Sequence, residues 1–216
     1  MAPRSDEKMV TIALRAPEEG VLEGVFQAGG REPSAGAVIA PPHPLYGGSM
    51  DSPVASELAF ASVRAGISAL RFNWRGVGAS TGVASGEPSD ADADYAAALA
   101  YMAETVPGGV VACGYSFGAA AALRAARVHP RIGRLVLVAP PASLLEPGAL
   151  RALERPVLVL TGAADAIAAP HALAAEVEEA PHAQLEIIPD ADHFFVQGLA
   201  ELGRRALAWL GRDVPR

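Results

Sequence analysis

Gly114-Tyr115-Ser116-Phe117-Gly118 has the pattern Gly-x-Ser-x-Gly, and its flanks decide how it is read. Before it runs Gly109-Val110-Val111-Ala112-Cys113, apolar and short enough to be a buried strand. After it, residues 119–128 are rich in Ala and Leu, with Ala119, Ala122, Leu123 and Ala126 on one helical face. A strand entering a helix through this pentapeptide holds the serine at the tip of a tight, strained turn, a nucleophile elbow. Residues two before and two after the serine must be small for strand and helix to pass closely, and Gly114 and Gly118 meet that need. The first amides of the helix then face the serine. The Phe117 N–H is therefore expected to donate to an oxyanion, with the helix dipole favouring negative charge there. A Gly-rich connection carrying a solvated serine is the bland alternative, and both flanks argue against it.

The 216 residues, 51% hydrophobic, suffice for one domain with a substantial core. We expect a single domain over 1–216, with the polar stretch 1–8 flexible. No run approaches the ~18 apolar residues of a membrane span, and the start lacks the apolar stretch of a signal peptide, so no membrane partner and a cytoplasmic location are expected. Net charge is -7, with 24 acidic against 17 basic residues and no basic cluster, which speaks against nucleic acid as a partner. Cys113, the single cysteine, precedes the elbow and is expected to be buried and reduced.

Strands are predicted at 10–14, 21–27, 37–40, 68–73, 134–139, 156–161 and 183–188, the first two joined by the turn 16–20. Helices are predicted from Ser52-Pro53 to Gly66, from an N-cap at Ser89, and over 144–153, 172–179 and 196–210, the last with Val196, Leu199, Leu202, Ala206 and Leu210 on its apolar face. Near-continuous apolar strands alternating with amphipathic helices imply an α/β fold, a mostly parallel sheet covered on both faces. Gly76-Val77-Gly78 superficially suggests a dinucleotide loop, but the third glycine is Gly82 and no helix follows promptly. Asp90, Asp92 and Asp94 point around a helix and compensate its dipole rather than gather on a metal. No cofactor and no metal are expected.

A serine hydroxyl needs a base within hydrogen-bond reach, and the base needs an orienting carboxylate. In a parallel sheet such groups collect at the carboxyl ends of strands. Of the five histidines, His193 directly follows the last strand; His129 lies at the far end of the elbow helix, and His171 and His182 flank a helix at polar turns. Asp165 follows the strand 156–161 in a turn of small residues, and it is preferred over Asp190 and Asp192, which share the histidine's own loop and suit turn formation. The second oxyanion donor should come from Pro41-Pro42-His43-Pro44-Leu45-Tyr46-Gly47-Gly48; Pro44 cannot donate, leaving the backbone N–H of His43 as first choice and Leu45 and Tyr46 as alternatives. The His43 side chain also suits a hydrogen bond that pins this proline-stiffened loop.

With these residues assembled, the chain resembles an α/β-hydrolase. Within that superfamily it is similar to small bacterial predicted hydrolases related to dienelactone hydrolase. The matching pieces are the 43–48 loop, Arg71-Phe72-Asn73-Trp74-Arg75-Gly76-Val77-Gly78, the elbow, Val138-Ala139-Pro140-Pro141, Gly162-Ala163-Ala164-Asp165 and Ala191-Asp192-His193-Phe194-Phe195. The resemblance implies an eight-stranded sheet whose second strand is antiparallel, and the Ser116, Asp165 and His193 roles argued above. Two departures stand out. Pro41 occupies a place where the family's oxyanion loop usually begins with histidine, and dienelactone hydrolases proper use a cysteine where this chain has Ser116.

Only residues 142–155 separate Pro141 from the next strand, room for one short helix and none for a cap domain. An open, shallow site follows, with Leu45, Tyr46, Met50, Phe117 and Phe194 as candidate acyl-group contacts unless they only pack the rim. The expected function is hydrolysis of small-molecule carboxylic esters, short acyl chains first, by a monomer or homodimer. A thioesterase, peptidase or acyltransferase would share the acyl-enzyme, and a non-catalytic binder would share the fold.

Overall fold

The computed structural model describes residues 7–15, 19–30 and 34–212. The strands are β1 (Lys8–Ala13), β2 (Val21–Gln27), β3 (Gly36–Ala40), β4 (Ser68–Phe72), β5 (Val110–Tyr115), β6 (Ile132–Val138), β7 (Val157–Gly162) and β8 (Ala183–Ile188). They form one sheet in the order β1-β2-β4-β3-β5-β6-β7-β8. β2 runs antiparallel to β1 and β4, and the remaining neighbours are parallel. Every residue of β3, β4, β5 and β7 is buried, as parallel strands covered on both faces require. The helices are α1 (Pro53–Arg64), α2 (Pro88–Thr105), α3 (Phe117–Val128), α4 (Pro170–Glu178) and α5 (Leu199–Leu210). α1 packs with α5 on one face, and α2 with α3 on the other. Because β5, β7 and β8 run parallel, the loops that leave their carboxyl ends share one edge of the sheet.

At the N-terminus, β1 opens at Lys8 and the Glu7 carboxylate pairs with Arg71 at 2.9 Å, so the end of the stretch expected to be flexible is held. Residues 1–6, and residues 16–18 of the expected turn, lie outside the described residues.

Three local readings need correction. α2 begins at Pro88 with Glu87 as N-cap, which puts Ser89 inside the first turn. The proline's fixed φ sets the start of the helix, as Pro53 does after Ser52 in α1. The stretch 144–153 is not a helix. A 3-10 turn at Ala142–Leu144 leads into further turns, because Pro147-Gly148 interrupts the ladder and Gly148 adopts φ +72. Leu145, Leu150 and Leu153 are buried all the same. α5 starts at Leu199 after Gly198 at φ +85, so Val196 lies in the preceding loop and is 81% exposed.

Asp90 lies in the first turn of α2, where a carboxylate compensates the helix dipole, and the aspartates of this helix also make specific ion pairs. Asp94, almost fully buried, accepts the Arg75 backbone N–H at 2.8 Å and its Nε at 3.0 Å. Asp90 pairs with Arg75 at 2.9 Å and Asp92 with Arg124 at 2.8 Å. The Arg75 bonds tie the long loop after β4 to α2, and the Asp92–Arg124 pair ties α2 to α3. Burial pushes the Asp94 carboxyl upward, and the Arg75 hydrogen bonds only partly offset that.

Candidate active site

β5 feeds α3 through Ser116, which has φ 55 and ψ -117, a conformation a non-glycine residue adopts only under constraint. A Cβ on Gly114 would stand 2.2 Å from the Gly118 carbonyl oxygen, and one on Gly118 2.4 Å from that of Pro41. Both glycines are therefore fixed by close backbone approach. The other described non-glycine residues at positive φ are Ala139, Asp190 and Phe195, and all sit on loops at the same sheet edge.

At that edge three side chains from separate loops form a continuous hydrogen-bonded chain. His193 Nε2 lies 3.0 Å from Ser116 Oγ, and His193 Nδ1 lies 2.9 Å and 3.1 Å from the two Asp165 oxygens. All three residues are buried, with Ser116 only 9% exposed. Asp165 Oδ1 also accepts the N–H groups of Ile167 at 2.8 Å and Ala168 at 2.7 Å. Burial alone would raise the Asp165 carboxyl; hydrogen bonds from His193, Ala168 and Ile167 outweigh it and hold the group below the ordinary carboxylate range. Asp190 and Asp192 stay out of this chain. Asp192 instead caps its own loop, accepting the N–H groups of Phe194 at 3.1 Å and Val196 at 3.3 Å.

The loops carrying Asp165 and His193 are joined directly. Ala163 N–H donates to the Ile188 carbonyl and Ala164 N–H to that of Ala191, each at 2.9 Å. Gly162 permits the approach: a Cβ there would meet the Ala191 carbonyl oxygen at 2.2 Å. Gly162→Ala is expected to destabilise the protein by about 3 kcal/mol, since the neighbour that must yield is backbone; a urea unfolding series checks this.

Around the serine, the loop after β3 is clamped from below. Trp74 Nε1–H donates to the Pro41 and Pro42 carbonyls at 3.2 and 3.0 Å, and the Trp74 ring stands edge-on to Phe117, centroids 5.7 Å apart. The His43 ring lies 4.6 Å from the Phe117 ring, and its Nδ1 accepts the Leu45 N–H at 3.2 Å. That bond pins the loop as the sequence suggested. It also separates the three oxyanion candidates, because Leu45 N–H goes to His43 Nδ1 and Tyr46 N–H to the His43 carbonyl. Among the described residues, the N–H groups of His43 and of Phe117, the first residue of α3, have no acceptor. Burial lowers the His43 imidazole, favouring its neutral form.

Of the candidate substrate contacts, Leu45, Tyr46 and Phe194 are 58%, 86% and 65% exposed, whereas Met50 is 4% exposed and presents little surface to a ligand. Met50's backbone is held between Asn73 and Arg71, with N–H to Asn73 Oδ1 at 2.8 Å and carbonyl to Arg71 at 3.0 Å. Phe117 is also buried. Sequence reasoning missed Tyr115, whose buried hydroxyl donates to the His193 carbonyl at 2.8 Å. It missed Trp74's clamp as well; in both cases the partner is distant in the chain, and only the indole or phenol polar tip hints at the need for one. Cys113 is buried in β5 and its thiol is pushed up to about 12, chiefly by burial, which removes it as a nucleophile. Among the described residues no helix is long and apolar enough to cross a membrane.

Comparison with known proteins agrees with this architecture. Residues 45–148 match the family model for serine aminopeptidase, S33. The chain is 29% identical to an uncharacterised protein of Rickettsia prowazekii over 87% of its own length and 82% of the relative's. Among solved structures it is similar to an α/β serine hydrolase homologue from Coxiella burnetii, with 27% identity, coverage of 97% and 99% of the two chains and a TM-score of 0.81. It is equally similar to an α/β serine hydrolase without lid from Xanthomonas campestris, with 26% identity, 98% coverage of both chains and a TM-score of 0.81. An eight-stranded sheet with β2 reversed, an elbow after β5 and no cap domain between β6 and β7 give this chain the α/β-hydrolase fold, in keeping with its likeness to α/β serine hydrolase homologues over nearly its whole length.

Proposed function

We propose that the protein is a serine hydrolase of carboxylic esters, with Ser116 as nucleophile, His193 as general base and acid, and Asp165 as the group that orients the imidazole. The observation that carries this reading is the unbroken path from Ser116 Oγ through His193 to Asp165, at 3.0 and 2.9 Å. With Nδ1–H donated to Asp165, Nε2 is left as the acceptor for the serine proton. Oγ attacks the carbonyl carbon, and the charge on the carbonyl oxygen is taken by the N–H groups of Phe117 and His43. The alcohol leaves, and water hydrolyses the acyl-enzyme by the same steps in reverse roles. The absence of a cap domain supports small esters with short acyl chains. Stopped-flow mixing with p-nitrophenyl acetate tests the reading: a burst of nitrophenol equal to the enzyme concentration is expected, and no turnover of any activated ester would refute it.

A peptidase is the second reading, favoured by the S33 aminopeptidase family match. Aminoacyl nitroanilides assayed beside nitrophenyl esters separate the two, and faster anilide cleavage would select the peptidase.

Tyr115 acts here as a positioning residue. Its hydroxyl fixes the backbone carbonyl of the residue that must move protons, across a gap the chain closes only through space. Tyr115→Phe leaves that buried carbonyl unpartnered, so stability should drop by about 1–3 kcal/mol. A fall in kcat of roughly ten- to hundredfold with little change in KM is expected from the loosened imidazole. Unchanged kcat alongside lower stability would mean the bond is structural only.

A further inference from the structure

The two ends of an ester meet different parts of this site. The carbonyl oxygen is drawn toward the Phe117 and His43 amides. The alcohol oxygen departs the other way: Ser116 Oγ bonds to the carbonyl carbon, its proton passes to His193 Nε2, the bond to the alcohol breaks, and Nε2 returns that proton to the leaving oxygen. The alcohol must therefore lie within hydrogen-bond reach of Nε2, on the flank formed by the His193 loop, while the acyl chain lies toward Leu45 and Tyr46.

The His193 loop is held in a strained conformation that presents an aromatic ring on that flank. Phe195 adopts φ 52, a left-handed conformation that a bulky side chain rarely takes. It is 2% exposed, with its ring against Tyr115 at 6.4 Å, so it anchors the loop inward. Asp192 fastens the turn on either side of it through the Phe194 and Val196 N–H groups. The consequence is that Phe194 is turned outward, 65% exposed, with its ring edge-on to His193, centroids 5.6 Å apart. Val196 is exposed as well, and so is Ile167, two residues beyond Asp165 on the adjoining loop. The only Asp, Glu, Lys or Arg residues in these two loops are Asp165, Asp190 and Asp192. A phosphorylated or carboxylated alcohol would be repelled there, and an apolar one would cover exposed apolar surface.

We propose that Phe194 is a specificity-determining residue that seats the alcohol moiety, and that the preferred substrates are esters of neutral, apolar alcohols, arylmethyl alcohols above all. This rests on the serine hydrolase reading. The test uses methyl, benzyl and choline acetates, which share one acyl group, so that their kcat/KM ratios report the alcohol side alone. The wild-type protein should prefer benzyl over methyl acetate by roughly tenfold or more, and Phe194→Ala should lower that ratio by about tenfold. Because Phe194 is exposed, the variant is expected to fold, which circular dichroism verifies. A ratio near one in the wild type, or one that Phe194→Ala leaves unchanged, overturns the inference. So does a choline ester that outruns the benzyl ester, which would make the acidic residues the selector. A drop in the ratio caused by Tyr46→Ala but not by Phe194→Ala would put the alcohol on the opposite flank and overturn it too. Fluorophosphonate labelling of Ser116 in the same preparation keeps the two readings apart: no labelling removes the hydrolase reading, whereas labelling with a flat ester profile removes only this inference.

Discussion

Ser116→Ala is expected to lower kcat for p-nitrophenyl acetate by about 10⁶-fold, to the level left by binding and the oxyanion donors alone. The size of the effect follows from what the serine supplies. In the proposed mechanism no acyl-enzyme forms without Oγ, and His193 Nε2 loses its partner at 3.0 Å. Steady-state rates with purified wild-type and variant protein check this. The fold should survive the change, because Ser116 occupies its strained φ through the packing of Gly114 and Gly118 and not through its hydroxyl. A variant that retained more than a hundredth of the wild-type rate would mean that another group attacks the ester.

Asp165→Asn is expected to lower kcat by about 10⁴-fold with KM nearly unchanged, because the amide can offer its N–H to Nδ1 and so stabilise the tautomer whose Nε2 carries a proton. The same substitution in Asp190 or Asp192 should have a far smaller effect, since neither touches the imidazole and Asp192 holds its own loop. The change should also show in stability. Hydrogen bonds overcome burial and hold the folded Asp165 carboxyl below its unfolded value of about 3.9. Its ionised form therefore adds stability at pH values above that point, and the contribution fades as pH falls through the lower, folded value. Asp165→Asn lacks it at every pH. Urea unfolding of both proteins should give a free-energy gap that narrows below about pH 4, and a gap that widened there would contradict the sign.

The sheet and the residues at its carboxyl edge were legible because they depend on signals that lie next to each other in the chain. Ser116, Asp165 and His193 each follow an apolar run that becomes a strand, and parallel strands deliver their ends to one edge. The errors came where local propensity met a stronger local constraint. Ser89 is a good cap by type, yet Pro88 fixes the helix start one residue earlier. Residues 144–153 have helical spacing, yet Pro147-Gly148 breaks the ladder while the leucines remain buried. Val196 continues the apolar period of α5, yet Gly198 at φ +85 starts the helix after it.

What the sequence did not reveal are the supports that act through space. Tyr115 to the His193 carbonyl spans 78 positions, and Trp74 to the Pro41 carbonyl spans 33. Arg75 reaches Asp94 and Asp90 across 19 and 15. No periodicity encodes such pairs. The sequence likewise does not separate His43, Leu45 and Tyr46 as the proposed oxyanion donor, whereas in the structure the Leu45 and Tyr46 N–H groups are already bonded within the loop.

Fluorophosphonate labelling with mass mapping of the adduct measures the proposed nucleophile directly, independent of which ester the protein acts on. A single adduct on the peptide containing Ser116, formed rapidly by the wild-type protein and slowed by at least a thousandfold in His193→Ala, is the predicted result. Labelling at any other residue, or at Ser116 with a rate indifferent to the loss of His193, would contradict the account.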